Sequence, residues 1–301
     1  MTGMFRIPLG DWVQSIINWV IVTLGGFFDG VSTIFTGLYD AAEWLFTTPP
    51  FWAVILVVAV VAWLAKGVRL AVGTIVGLML IVAVDQWENA MQTLALTLVA
   101  VLIAVVIALP LGIWAARSHA VSRIVRPVLD FLQTMPAFVY LIPAIFLFGI
   151  GVVPGMVATI LFAVAPGVRL TELGIRGVDT EVVEAGNAFG ATPGRILRQI
   201  QLPLAMPSIM AGINQIIMLA LSMAVIASMV GAPGLGKDII QALSRTDISL
   251  GFEAGLAVVI IAMILDRVTS GFGGARRLRR RTRTAALAPT PTAAASVAAN
   301  A

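Results

Sequence analysis

Four charged residues, Glu181, Glu184, Arg195 and Arg198, stand on a polar, glycine-marked segment between strongly apolar stretches. Its fixed points are Glu184, Ala185 and Gly186, then Gly190, then Ile200, Leu202 and Pro203. Such a segment cannot lie in hydrocarbon, where unpaired charges are costly. It must face water or a partner protein. The chemistry it suits is docking, because small side chains and a glycine permit close backbone approach. Nothing points to covalent or metal chemistry. The chain has no cysteine, hence no disulfide, thiolate or cysteine metal site. Its single histidine, His119, argues against a histidine-based metal or catalytic centre and reads as a solvated residue of the basic Arg117–Arg126 loop.

Two further patterns invite chemistry and do not support it. Gly231-Ala232-Pro233-Gly234-Leu235-Gly236-Lys237 fits a phosphate-loop spacing up to its lysine, but Asp238 follows where Mg²⁺ binding needs Ser or Thr. No strand pattern precedes it. It reads as an external turn and gate loop, so this chain is not expected to hydrolyse ATP. Asp266 and Arg267 fall at the end of an apolar run, where they are expected to snorkel to the interface. No isolated charge stands deep in a span, which weighs against an ion-coupled secondary carrier.

The elements that position these residues are membrane helices. Hydrophobic residues make up 59% of the 301, charged residues only 11%, and mean hydropathy is +1.01. A soluble domain needs more surface charge than that. The expected class is an all-α integral membrane protein of about seven transmembrane helices. Five clear spans fall near 92–116, 129–149, 155–173, 206–230 and 252–271. Two shorter runs, 51–65 and 70–84, have 15 residues each, roughly 22 Å of helix against a hydrocarbon core of about 30 Å. They are read as two short accessory spans. Gly73 and Gly77 make a small-xxx-small face there.

Residues 1–50 read differently. Polar residues from Asp11 to Glu43 recur every three or four positions on an apolar background. That pattern predicts an interfacial amphipathic helix, or two broken at Gly25-Gly26; an additional span at 12–28 is the alternative. A cleaved signal peptide is not expected. Residues 273–301 begin with six arginines and end in an Ala/Pro/Thr tail expected to be disordered. With the amino terminus outside and seven spans, 16 of the 19 basic residues are cytoplasmic. This charge distribution favours membrane topology over nucleic-acid binding. The carboxyl terminus and the island at 174–205 then face the cytoplasm.

Locally, Thr180 is the expected N-cap of a first island helix. Gly190 stops it in a left-handed conformation. Thr192 caps a second helix with Pro193 at its first position, and Pro203 ends that helix. The spacing E-A-G, three residues, G, nine residues, I-x-L-P resembles the EAA loop of ABC-importer permeases, with Gly186 in place of an alanine. In that family the loop docks on an ATPase subunit. The stretches Gln133–Pro143, Leu202–Gly212 and Leu219–Met223 are similar to permeases of glycine betaine and proline betaine importers.

The resemblance implies a type I importer permease fold, with a permease core at 89–272 and accessory helices at 51–88. It implies two ATPase copies that bind ATP and Mg²⁺, a second and identical permease, and an extracytoplasmic binding protein. This chain itself is expected to bind no cofactor. ATPase coupling falls on Glu184, Ala185, Gly186, Gly190, Ile200, Leu202 and Pro203. A quaternary ammonium suits aromatic and sulfur-lined walls, which makes Phe138, Tyr140, Met218, Ser222, Met223 and Met229 candidates for the translocation pathway. An importer of another small polar solute, such as an amino acid, and an ion-coupled carrier are the alternatives.

Overall fold

The computed structural model describes residues 9–286, and no strand occurs among them. Helix is what an apolar chain must form in lipid, since only local pairing satisfies its backbone there. The centre is built from α4 (Trp87–Arg117), α7 (Val152–Arg176) and α10 (Leu202–Ala227). Pro110, Pro166 and Pro207 lie inside these helices without ending them, as expected where neighbouring helices compensate for lost hydrogen bonds.

Small residues set the spacing of this centre. A Cβ on Gly112 would sit 2.6 Å from the Cβ of Thr171, and one on Gly212 would lie 3.3 Å from the Cα of Gly167. A Cβ on Gly174 would lie 2.7 Å from Ser208, and one on Gly155 would lie 2.8 Å from Ala227. Along its length, α7 therefore touches its neighbours almost backbone to backbone, the packing that membrane helices favour.

The expected span at 129–149 is not one helix. Helix α5 (His119–Thr134) and the segment Ala137–Phe148, a 3₁₀ turn leading into α6 (Leu141–Phe148), are bent by 110°. Pro136 explains the break. It disfavours helical backbone at the preceding residue, and Met135 is extended at φ −73°, ψ 134°. Among the described residues, five helices are long and apolar enough to cross a membrane, or six if the bent pair counts as one. The remaining two, α2 (Phe51–Lys66) and α3 (Val68–Ala83), have 16 residues each and are shorter than that.

Helix α1 (Leu9–Thr47) is continuous with a kink at Leu24, beside and not at the glycine pair. Its stretch from Gly10 to Thr47 is among the five. It is held on the bundle by buried Tyr39, packed with Leu96, Val99 and Met156. Gln92 Nε2 donates to Glu43 Oε1 at 2.9 Å. The rings of Phe28 and Phe148 meet edge to face at 5.4 Å.

The last helix, here α12 (Ile248–Ala286), follows the short α11 (Leu235–Arg245). It runs through 273–286, where composition predicts disorder; the rest of that tail lies outside the described residues. Asp266 is tied to α10. Its Oδ1 accepts from Asn214 Nδ2 of α10 at 2.8 Å, and Thr269 Oγ1 donates to Asn214 Oδ1 at 2.6 Å. A carboxylate near hydrocarbon gains more from a fixed donor than from stretching toward headgroups. Lys66 Nζ donates to Ser270 Oγ at 2.6 Å, joining the α2–α3 hairpin to α12. Of the small-residue face, Gly77 packs on α12, where an added Cβ would lie 2.9 Å from Ile260 Cγ2, while Gly73 faces open space.

These contacts separate two kinds of glycine. Gly167→Val should push α4 and α10 off α7 and cost about 1–3 kcal/mol, read as a lower unfolding temperature in detergent. Gly73→Ala should leave that temperature unchanged or raise it.

Candidate functional site: a docking loop at the end of α7

The polar island folds as α8 (Thr180–Ala188), a glycine elbow, and α9 (Pro193–Ile196). The N-cap of α8 is Asp179, one residue earlier than expected, and its Oδ1 accepts from Glu181 N at 3.0 Å. Aspartate does this well, since its carboxylate also meets the positive helix end. Gly190 ends α8 as expected, at φ +74°. Ala191 N donates to Gly186 O at 3.1 Å, and Gly190 N donates to Asn187 O at 2.9 Å. This crossed pair is the Schellman arrangement, in which the turning residue needs a left-handed backbone. Thr192 occupies the N-cap of α9 without a side-chain cap, and Pro193 takes its first position.

Pro203 does not end the second helix. A π turn at Leu197–Gln201 leads straight into α10, so helix runs without a gap from Pro193 to Val230. The widened turn relieves the clash between the proline ring and the carbonyl four residues back. The end of the motif is therefore the start of α10.

The motif residues divide into two sets. Gly186 is buried, and a Cβ there would lie 2.7 Å from Ile200 Cδ1 and 3.5 Å from Ile196 Cγ1. Leu202 packs with Ile175, Leu197, Ala205 and Ile209. Gly186, Gly190, Ile200 and Leu202 thus shape the loop and hold it on α10. Gly186 does not serve as an open contact point. Glu184, Ala185 and Pro203 are exposed. Beside them stand Val182, 41% exposed, and Phe189, 92% exposed. Positions 182, 185 and 189 share one helix face. A bare aromatic ring on a water-facing helix is the signal that motif spacing passes over. The set can fill an apolar groove on another protein, flanked by charge from Glu181 and Glu184.

The pathway candidates are not one surface in a single chain. Tyr140 and Met223 are buried together with Leu141, Ala144, Ala158 and Val230. Phe138, Met218, Ser222 and Met229 are exposed. On α10 the exposed stripe continues through Pro207, Ala211 and Gln215. The phosphate-loop lookalike is a glycine turn between α10 and α11. Gly231 and Gly234 take φ of +92° and +113°, a 3₁₀ turn precedes them, and Leu235 N donates to Thr93 Oγ1 at 2.8 Å. A cavity of about 560 Å³ opens there, lined by Ile145, Ile150, Met229, Pro233 and Lys237.

A sequence profile described as binding-protein-dependent transport system inner membrane component matches residues 108–284, and the chain belongs to this family of ABC-importer permeases. Within it, the chain is 52% identical over 276 residues to the glycine betaine/carnitine transport permease protein GbuB of Listeria monocytogenes, covering 90% of this chain and 98% of that relative. It is 46% identical to the glycine betaine transport system permease protein OpuAB of Bacillus subtilis, covering 89% and 95%. Against the glycine betaine/proline betaine transport system permease protein ProW of Escherichia coli the identity is 47%, covering 91% and 77%. These relatives are permease subunits and not enzymes. Among solved structures, the inward-facing MetNI methionine ABC transporter matches with a TM-score of 0.58 at 22% identity, over 63% of this chain and 95% of that one. That likeness establishes the type I importer permease fold.

The elbow makes two substitutions distinguishable. Gly190→Val should destabilise the loop by about 1–2 kcal/mol through its left-handed backbone. Gly186→Ala should change stability by less than about 1 kcal/mol, because gained helix propensity offsets a shift of one Ile200 methyl. Thermal unfolding of the two variants checks the order.

Proposed function

We propose that the chain is the permease of an ATP-driven importer for glycine betaine, proline betaine and similar quaternary-ammonium solutes. The observation that carries this reading is the near full-length match to permeases named for glycine betaine, at 46–52% identity. Two copies of the chain form the translocation unit. Two ATPase subunits bind ATP and Mg²⁺ and hydrolyse the nucleotide in the cytoplasm, and a binding protein outside the membrane delivers the solute. Neither a cofactor nor a nucleic acid binds this chain.

The docking loop meets the ATPase through Glu184, Ala185 and the exposed ring of Phe189, with Gly186, Gly190, Ile200, Leu202 and Pro203 holding its shape. Phe138, Met218, Ser222 and Met229 line the pathway, with Tyr140 and Met223 packed behind them. A quaternary ammonium has no hydrogen-bond donor to satisfy, so ring faces and thioethers pass it without a deep well.

Orientation follows the basic residues, with the docking loop and carboxyl terminus cytoplasmic and the amino terminus outside. Contacts of Phe28 with Phe148 and of Glu43 with Gln92 support α1 lying toward the outer ends of α6 and α4.

Three measurements test these roles. Cells carrying the permease with its ATPase and binding protein should accumulate labelled glycine betaine after a salt upshift. Accumulation of a neutral amino acid alone would overturn the solute assignment. Glu184→Lys and Phe189→Ala should each weaken ATPase co-purification, by about 30-fold for the ring if it is a hot spot, while the permease stays in the membrane. A cysteine at Glu88 should react with an impermeant maleimide in intact cells and one at Ser118 should not; the reverse pattern would invert the topology.

A further inference from the structure

The end of α7 carries a buried charge that the docking loop does not use. Glu172 is 3% exposed. Its Oε1 accepts from Ser122 Oγ at 2.7 Å and from Arg126 Nη2 at 2.9 Å, and Arg176 Nε stands 3.0 Å away. Ser122 and Arg126 are one turn apart on α5, so both reach the same carboxylate. Arg176 extends the knot through Nη2, which donates to Ala115 O at 2.8 Å, and through Nη1, 3.2 Å from His119 Nδ1. One turn away, Arg169 of α7 pairs with Asp130 of α5. The carboxylate thus ties the ends of α4, α5 and α7 just before the chain enters the docking loop.

Such a tie resists sliding. Drawing a buried carboxylate off its cations leaves an uncompensated charge, which costs far more than shifting an apolar contact. Elsewhere α5 packs through Leu129, with Val125 and Leu132 beside it, while Ile124, Val128 and Phe131 are exposed. Beyond Pro136 the arm continues through α6 to Gly149, Ile150 and Gly151. There Gly151 N donates to Val230 O at 2.9 Å, and Ile150 crowds Gly231 beside the 560 Å³ cavity. Gly149 and Gly151 take φ of +78° and +143° with open space around both, so the backbone can swing at this end. The arm is pinned by charge at the loop end and jointed at the cavity end.

We infer that Glu172 is a positioning residue for transport: it makes the α5–α6 arm move as one body with the docking loop, so that displacement of α8 reaches the cavity at Ile150 and Val230. This rests on residues 180–203 being the ATPase contact. The test uses the permease reconstituted with its ATPase and binding protein. Arg126→Gln removes the charged part of the tie to α5 and leaves Glu172 with the Ser122 hydroxyl and the charge of Arg176. It should keep ATPase binding and ATP hydrolysis near wild type while solute moved per ATP falls by about tenfold. A parallel fall of hydrolysis and transport, or an unchanged ratio, would overturn the inference.

Nitroxides on cysteines at Ile124 and Leu173 supply a readout independent of turnover. Their separation should stay constant between nucleotide states in the parent chain and vary in Arg126→Gln; equal behaviour in both overturns the inference. Glu184→Lys separates the two readings. If that variant keeps its ATPase bound, the docking assignment fails, while the label distances still report whether α5 and α7 move together.

Discussion

Close backbone contact along α7 is the constraint on which the rest depends. Hydrocarbon supplies no hydrophobic drive for helix association, so attraction between helices must come from packing. Glycines at 155, 167, 174 and 212 bring α7 and α10 together, and Gly112 brings α4 against α7. Packing this tight has few alternative arrangements, and the three helices behave as a stiff body. A stiff centre is what lets a loop at one end matter at the other.

Polar groups then decide how the outer helices join that centre. Asn214 of α10 holds Asp266 and Thr269 of α12. Thr93 of α4 accepts the amide of Leu235 at the start of α11 and itself donates to Asn89 O at 2.8 Å. Glu43 takes an amide hydrogen from Gln92. Each of these groups would be costly if left unmatched in a membrane, so each fixes a register that apolar packing alone would leave free.

The sequence revealed the long spans near 92–116, 155–173, 206–230 and 252–271, because apolar length is a strong signal. It also revealed the island, since charge and glycine punctuation stand out on an apolar background, and the left-handed stop at Gly190. What it concealed depends on tertiary context. Pro136 and Pro203 are the same residue type, yet one breaks its helix and the other is absorbed by a π turn. The difference lies in the neighbouring backbone, which local composition does not encode. Phe189 is apolar like the residues of the buried core, and only the fold leaves it bare. Glu172 falls at the end of an apolar run, and its partners sit some 50 residues away on α5. The i, i+4 spacing of Ser122 with Arg126, and of Glu172 with Arg176, was the available hint.

The uninterrupted helix from Pro193 to Val230 has a mechanical meaning. Its 38 residues make a rod about 57 Å long, with one end in the docking loop and the other at the cavity mouth. Because α7 grips it from Ser208 to Ala227, the rod tilts only together with that helix. A tilt of about 5° about the middle would carry each end by about 2.5 Å over that length. The π turn near the loop end is the softest part of the rod, so it limits how much of any applied rotation arrives. On the proposed role of the docking loop, the stiffness of five residues, Leu197 to Gln201, sets how much of a partner's movement is passed along α10.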